Sequence, residues 1–276
     1  MEFTKMQGLG NDFVIINDLE ENISDYSALA KKVCHRNFGI GADGLMVVLP
    51  SQKADFRMRI INSDGSEPEM CGNGIRCFAK FVYDQGLTKK NKLEIETLAG
   101  IIKPELIIEN NQVILIKVDM GEPVLQSELI PTAVKDQKMI KAHPLQVQDK
   151  EFLVTCVSMG NPHCLIFAAE PDLLAEKYGP DLEKHPFFPR KTNVEFIEVL
   201  NKREVKMRVW ERGAGITLAC GTGACATTVA CVLNDKTERS ITVHLLGGDL
   251  QIEWSEADNH LYMTGPAVTV FTGTWL

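Results

Sequence analysis

The chain has 276 residues, enough for one large domain or two of ordinary size, and its 45% hydrophobic and 24% charged residues give the balance of a soluble globular protein. Lysine and arginine number 29 against 37 aspartates and glutamates, a formal charge of −8 that repels phosphate backbones, so nucleic acid is not expected as a partner. No apolar run approaches the ~18 residues of a membrane span and MEFTKMQGLGNDF lacks the basic head of a secretory signal, so a cytoplasmic protein without a membrane partner is expected, in which structural disulfides among the eight cysteines are improbable.

In chain order, strand patterning bounded by Gly, Asn, Asp or Pro begins at FVIIND (13–18) and gives way to a predicted helix over DYSALAKKVCHRN (25–37). Strands follow at LMVVLP (45–50) and FRMRIIN (56–62), then a helix over GIRCFAKFVYDQG (74–86). In that helix Ile75, Phe78, Ala79 and Val82 share one apolar face, and Gly86 is placed as its C-terminal stop. KLEIET (92–97), QVILIKVDM (112–120), EFLVTCVSM (151–159) and HCLIFA (163–168) read as strands, with PTAVKDQKMIKAHPLQVQDK (131–150) as a polar excursion. A helix over PDLLAEKYGPDLEKH (171–185) precedes the strands VEFIEVL (194–200) and VKMRVW (205–210). The last helix, GACATTVACVLND (223–235), carries a face of small residues at Ala224, Thr227, Thr228, Cys231 and Val232. Strands at ITVHLL (241–246), DLQIEW (249–254) and AVTVFTG (267–273) complete the pattern.

The two halves repeat one another. Gly-Asn before an apolar strand occurs at Asn11 and Asn161, and Cys-Gly-x-Gly before a helix occurs at Cys71 and Cys220. The lags are 161 − 11 = 150 and 220 − 71 = 149 residues. A near-constant lag across two unlike motifs predicts two copies of one α/β unit related by a pseudo-twofold, whose cysteine turns could face each other. The boundary is expected near Val118 to Gly121.

Cysteine spacings of five and six residues around Cys71, Cys77, Cys220, Cys225 and Cys231 do not match zinc pairs, so most of these thiols are expected in the core and no metal is expected. Cys71 and Cys220 are different because each heads a glycine turn opening a helix. There the unpaired N–H groups and helix dipole cradle a carboxylate. The same field stabilises a thiolate, lowering its pKa from about 8.5 toward 3.5–7.5. A single Cys-Gly-x-Gly is equally well an ordinary turn with a buried cysteine. Two of them offer a base on one face of a carbon and an acid on the other, which is what inversion without a redox step requires.

The blocks MQGLGNDFVIIND, GIGADGL, NSDGSEPEMCGNGIRC, VSMGNPHC, NVEF and ERGAGITLACGTGACA resemble diaminopimelate epimerase over nearly the whole chain. The resemblance implies cofactor-independent interconversion of LL- and meso-2,6-diaminopimelate in the lysine and peptidoglycan pathway. The fold it implies is α/β, two pseudo-twofold-related domains each with a curved mixed β-sheet around a central helix, usually assembled as a homodimer. The domains would be 1–118 and 119–267, with a C-terminal strand in 268–276 returning to the first. By the same resemblance Cys71 and Cys220 are the acid/base thiols, and Gly72–Asn73 and Gly221–Thr222 hold the reacting carboxylate. Asn11, Asn62, Asn161, Asn193, Glu211 and Arg212 recognise the substrate, chiefly its far end, while His163 and Glu211 tune the thiols.

The chemistry fits a substrate with an amino-acid group at each end: Arg212 offers a fork for carboxylate and Glu211 an acceptor for ammonium. Blander readings stand beside these, with Asn11 and Asn161 as turn residues, His163 as a strand-edge histidine and Glu211–Arg212 as a surface ion pair. Gly44, Ile216 and Gln7 depart from residues common in the family (glutamine, glutamate and histidine), which touches substrate preference but not the thiols. The rivals are a same-fold racemase of histidine or proline, a non-catalytic amino-acid binding protein, and a thiol redox protein, the last without any Cys-x-x-Cys.

Overall fold

The computed structural model of the chain describes residues 1–134 and 137–276. It divides into two compact units, Met1–Asp119 with Thr264–Leu276, and Met120–Met263. In the first unit the elements are β1 (Glu2–Gly8), β2 (Asn11–Asn17), α1 (Tyr26–Val33), β3 (Gly44–Leu49), β4 (Phe56–Asn62), α2 (Gly72–Asp84), β5 (Ile95–Thr97), β6 (Gly100–Ile102), β7 (Glu105–Glu109) and β8 (Gln112–Asp119). In the second they are β9 (His143–Val147), β10 (Lys150–Ser158), β11 (Pro162–Phe167), α3 (Pro171–Glu183), β12 (Asn193–Val199), β13 (Glu204–Glu211), β14 (Gly215–Ile216), α4 (Gly221–Leu233), β15 (Ser240–Leu245), β16 (Gly248–Trp254) and β17 (Leu261–Gly265). The final strand, β18 (Val268–Thr274), pairs with β1 in the first unit.

The first unit's sheet runs β18-β1-β2-β3-β4-β5-β6. Its β2/β3 and β4/β5 pairs are parallel, with α1 and α2 as the respective crossovers, and the other pairs are antiparallel. The second unit's run of β9-β10-β11-β12-β13-β15-β16 repeats this strand for strand. Its parallel pairs are β11/β12 across α3 and β13/β15 across α4. A parallel pair needs a long crossover, and a helix is the compact way to make one. The duplication read from two short motifs therefore extends to the whole connectivity, with β18 standing where β9 stands in the other unit.

Each unit keeps one helix inside. Ile75, Phe78, Ala79 and Val82 of α2 have no exposed surface, each of the larger ones stabilising the fold by about 1.5–3 kcal/mol. Gly86 follows the helix at φ +70, a left-handed stop that suits glycine. The single face expected for α4 is too narrow a description. From Gly223 to Cys231 every residue is buried, because Gly, Ala, Cys and Thr are small enough for strands to close around the whole helix.

Other differences have identifiable causes. β1 escapes a hydrophobic-pattern reading because Thr4 and Lys5 are buried in it, the Lys5 ammonium being neutralised by Asp12 at 2.7 Å. The expected excursion over 131–150 is corrected in its second half, where β9 pairs with β10 and Leu145 and Val147 join Ile140 in the core. Pro144 and Gln146 alternate with those two apolar residues and mask a half-buried edge strand. Residues 135 and 136 of that stretch lie outside the described residues. Among the described residues no helix is long and apolar enough to cross a membrane.

Candidate active site

In the first unit the turn from β4 into α2 presents Cys71 as the N-cap. Its backbone is extended (φ −139, ψ 118), and its Sγ accepts from Gly74 N at 3.4 Å. The thiol therefore takes the place that a serine or aspartate oxygen fills in ordinary caps. Asn11, at the start of β2, lies against the same turn, its Oδ1 3.5 Å from both Cys71 Sγ and Asn73 Nδ2. Its own Nδ2 donates to Asp43 Oδ2 at 2.7 Å. Asp43 is anchored by Arg36 at 2.8 Å and accepts from the Asp12 backbone at 3.1 Å. Burial alone would raise the Asp12 carboxyl, but hydrogen bonds and charge from Lys5 and Arg36 bring it below its usual range. Asn62 ends β4 opposite Gly44 and donates to Ser66 Oγ at 2.9 Å.

Arg76 lies beneath this turn with no exposed surface. It donates to Gly72 O at 3.1 Å, Asn73 Oδ1 at 3.0 Å and Pro266 O at 3.1 Å, so a buried cation underlies the backbone of Gly72–Asn73.

The second unit builds the same turn. Cys220 caps α4 with φ −124 and ψ 108, accepting from Gly223 N at 3.4 Å. Thr222 Oγ1 lies 3.5 Å from the thiol and accepts from Asn161 Nδ2 at 3.3 Å. Asn161 Oδ1 meets His163 Nε2 at 3.0 Å, and His163 Nδ1 meets Glu195 Oε1 at 2.6 Å. His163 and Glu195 are fully buried in the adjacent parallel strands β11 and β12, so the strand-edge reading of His163 does not hold. Asn193 donates to Pro162 O and accepts from the Arg212 backbone at 2.9 Å. Glu211 accepts from Thr217 Oγ1, whereas the exposed Arg212 reaches the Arg190 carbonyl at 3.3 Å. The surface ion-pair reading of Glu211 and Arg212 is thus replaced by separate partners.

The electrostatics correct one expectation. A helix N-terminus lowers a thiol pKa in the open, yet burial pushes Cys220 well up, and the nearby Glu211 and Glu195 carboxylates push the same way. The Thr222 and Gly223 hydrogen bonds oppose this without overcoming it. Burial also raises Glu211. Six other cysteines are buried free thiols, and Cys71 is the partly exposed one.

Each unit thus gathers its own share of the expected residues. Asn11, Cys71, Gly72 and Asn73 meet in the first, with Asn62 across β3 from β2. Asn161, His163, Cys220, Gly221 and Thr222 meet in the second, flanked by Glu211, Asn193 and Arg212. Sequence reading missed Asp43, Arg76, Glu195 and Thr217. Glu195 alone left a clear signal, a carboxylate inside an apolar strand buried on both faces. Of the departing residues, Gln7 accepts from Gly10 N at 2.9 Å and closes the β1–β2 turn before Asn11. At Gly44 a Cβ would sit 3.0 Å from Ile61 O, a tight contact that a side chain could make only if the β4 backbone gave way slightly.

Two α/β units, each opening its central helix with a cysteine cap, define the class. The same two-unit fold occurs in a PhzF-family phenazine biosynthesis protein from Bacillus anthracis (TM-score 0.70, 17% identity, covering 100% of this chain and 99% of that one). It also occurs in a probable proline racemase from Agrobacterium radiobacter K84 (TM-score 0.70, 12% identity, covering 100% and 92%). The family model for diaminopimelate epimerase matches residues 3–126 and 155–270. Diaminopimelate epimerase of Desulfitobacterium hafniense is 60% identical over 280 aligned residues, covering 100% of this chain and 98% of the relative. The chain belongs to the diaminopimelate epimerase family.

Proposed function

We propose that the protein interconverts LL- and meso-2,6-diaminopimelate in lysine and peptidoglycan precursor synthesis, with Cys71 and Cys220 as acid and base and no cofactor. The observation that carries this reading is the pair of cysteine-capped helix N-termini in two topologically equivalent units, in a chain of this family. One thiolate removes the α-proton and the other thiol delivers a proton to the opposite face, so the carbon inverts and the two sulfurs exchange roles. Burial and two carboxylates favour the protonated form of Cys220, which suits it to deliver a proton. The backbones of Gly72–Asn73 and Gly221–Thr222 hold the reacting carboxylate and stabilise the charge it gains when the proton leaves.

Asn11, Asn62, Asn161 and Asn193 orient the substrate, while Arg212 and Glu211 receive the distal carboxylate and ammonium. The two units act as the two epimerase domains, in a cytoplasmic homodimer. The test is incubation with LL-diaminopimelate in deuterium oxide without pyridoxal phosphate or metal. The meso product is expected, with deuterium at the inverted carbon. A panel of histidine, proline and other amino acids separates the racemase rival. Turnover of one of these in place of diaminopimelate would overturn the substrate assignment.

A further inference from the structure

The two cysteine turns are alike, but what lies under them is not. A Cβ added at Gly74 would meet Met46 Cε at 3.0 Å, and one added at Gly223 would meet Glu195 Oε1 at 2.8 Å. Met46 and Glu195 occupy the same register. β2 pairs in parallel with β3 as Phe13↔Gly44, and β11 with β12 as His163↔Asn193, so each contact residue lies two positions further on. Phe13 and Met46 of the first unit are thus replaced in the second by His163 and Glu195. An apolar pair has become a fully buried imidazole–carboxylate pair 2.6 Å apart.

A buried carboxylate is costly, more so when one oxygen is unsatisfied, and Glu195 Oε2 has no hydrogen-bond partner. The apolar pair of the first unit fills the same space without that cost. A stability role therefore does not account for Glu195. Its Oε1 accepts at His163 Nδ1, which places a proton there and sets the ring orientation. Nε2 then meets the Asn161 amide, whose Nδ2 donates to Thr222 Oγ1 beside the Cys220 thiol. Resting on the epimerase reading above, we propose that Glu195 is a positioning residue. It fixes His163, and through Asn161 and Thr222 it orders the shell of the Cys220 thiol and distinguishes it from Cys71.

The test uses Glu195→Gln, which keeps the shape and removes the charge, alongside His163→Phe/Glu195→Met, which copies the first unit. In the epimerase assay Glu195→Gln is expected to lower kcat by about 10- to 100-fold with KM changed much less. The double variant is expected to be no worse than its worse single variant, since the two residues act as one unit. A second readout needs no turnover. In a Cys71→Ala background, iodoacetamide alkylation of Cys220 is followed against pH by mass spectrometry. The charged groups that act on this thiol are Glu211 on β13 and Glu195 on β12; His163 on β11 acts on Glu211, and Glu195 in turn acts on the buried Cys164 of β11 and Cys156 of β10. Removing the Glu195 charge is expected to move the alkylation profile to lower pH. An unmoved profile together with wild-type kcat in Glu195→Gln would overturn the proposal. A wild-type enzyme inactive on diaminopimelate would overturn the function while leaving the alkylation result to judge Glu195.

Discussion

The two units share strand order, crossover helices and the cysteine cap, yet the ground beneath the caps carries opposite charge. Under Cys71 lies the buried guanidinium of Arg76, with Met46 packed against the glycine of the turn. Under Cys220 lies the Glu195 carboxylate, and the position equivalent to Arg76 in the α4 repeat is the buried Cys225. A duplicated backbone has kept the geometry that presents a thiol while substitution one layer deeper has separated the electrical surroundings of the two copies. A symmetric fold can thereby hold two chemically unequal sulfurs, as an acid and a base must be.

The largest effect expected from disturbing this comparison is on turnover. Cys71→Ala and Cys220→Ala should each lower kcat by about 100- to 10,000-fold, measured by following diaminopimelate stereochemistry, with circular dichroism unchanged. Equal retention of activity in both variants would break the comparison altogether.

Next comes stability. Arg76→Met leaves the Gly72 and Pro266 carbonyls without their donor and should cost about 2–4 kcal/mol in urea unfolding, whereas Cys225→Ala should cost about 1 kcal/mol. Similar costs would mean that the guanidinium is no more than filler.

The buried thiols of both units also predict an alkaline limit. Burial pushes Cys34, Cys77 and Cys231 up to about 12 from a reference of 9.0. Their native values are raised, so the stability they contribute is complete below pH 9 and is lost as pH rises toward 12. The urea midpoint should fall across that window, and a flat profile would contradict the assignment.

The smallest contrast concerns the outer helices. Asp25 caps α1, accepting from Ala28 N at 2.9 Å, but α3 is entered through Glu170 in a left-handed conformation (φ 57) without a side-chain cap. Asp25→Ala should destabilise by about 1 kcal/mol, and Glu170→Asn should stabilise by about 0.5 kcal/mol, because Asn tolerates that backbone. Thermal unfolding of the two variants reads both signs.

Much of the fold was legible from local pattern. β4 is the predicted 56–62, and all four predicted helices are present with ends shifted by a few residues. β5 falls within the predicted KLEIET, whereas β6 at three residues and the two-residue β14 are too short to carry periodicity. β1 and β9 are masked by a buried lysine and by Pro144. The thiols, their turns, Asn11 and Asn161 were readable because glycine spacing and repetition mark them along the chain, whereas Asn62 and Asn193 came only through the family resemblance. Asp43 and Arg76 were not, since each acts through a partner 3 to 190 residues away that only the folded chain supplies, and Glu195 stood out as a carboxylate in an apolar strand while its pairing with His163 did not.

The central claim is that one sulfur takes a hydron from the α-carbon while another, in the sister unit, supplies its replacement. It is tested most directly by isotope analysis of both pools at early times, starting from LL-diaminopimelate in deuterium oxide. Two separate sulfurs predict deuterium in essentially every meso product molecule and very little in the recovered LL-substrate. Deuterium appearing in recovered substrate as fast as in product would mean a single group serves both faces, and the two-thiol account would be wrong.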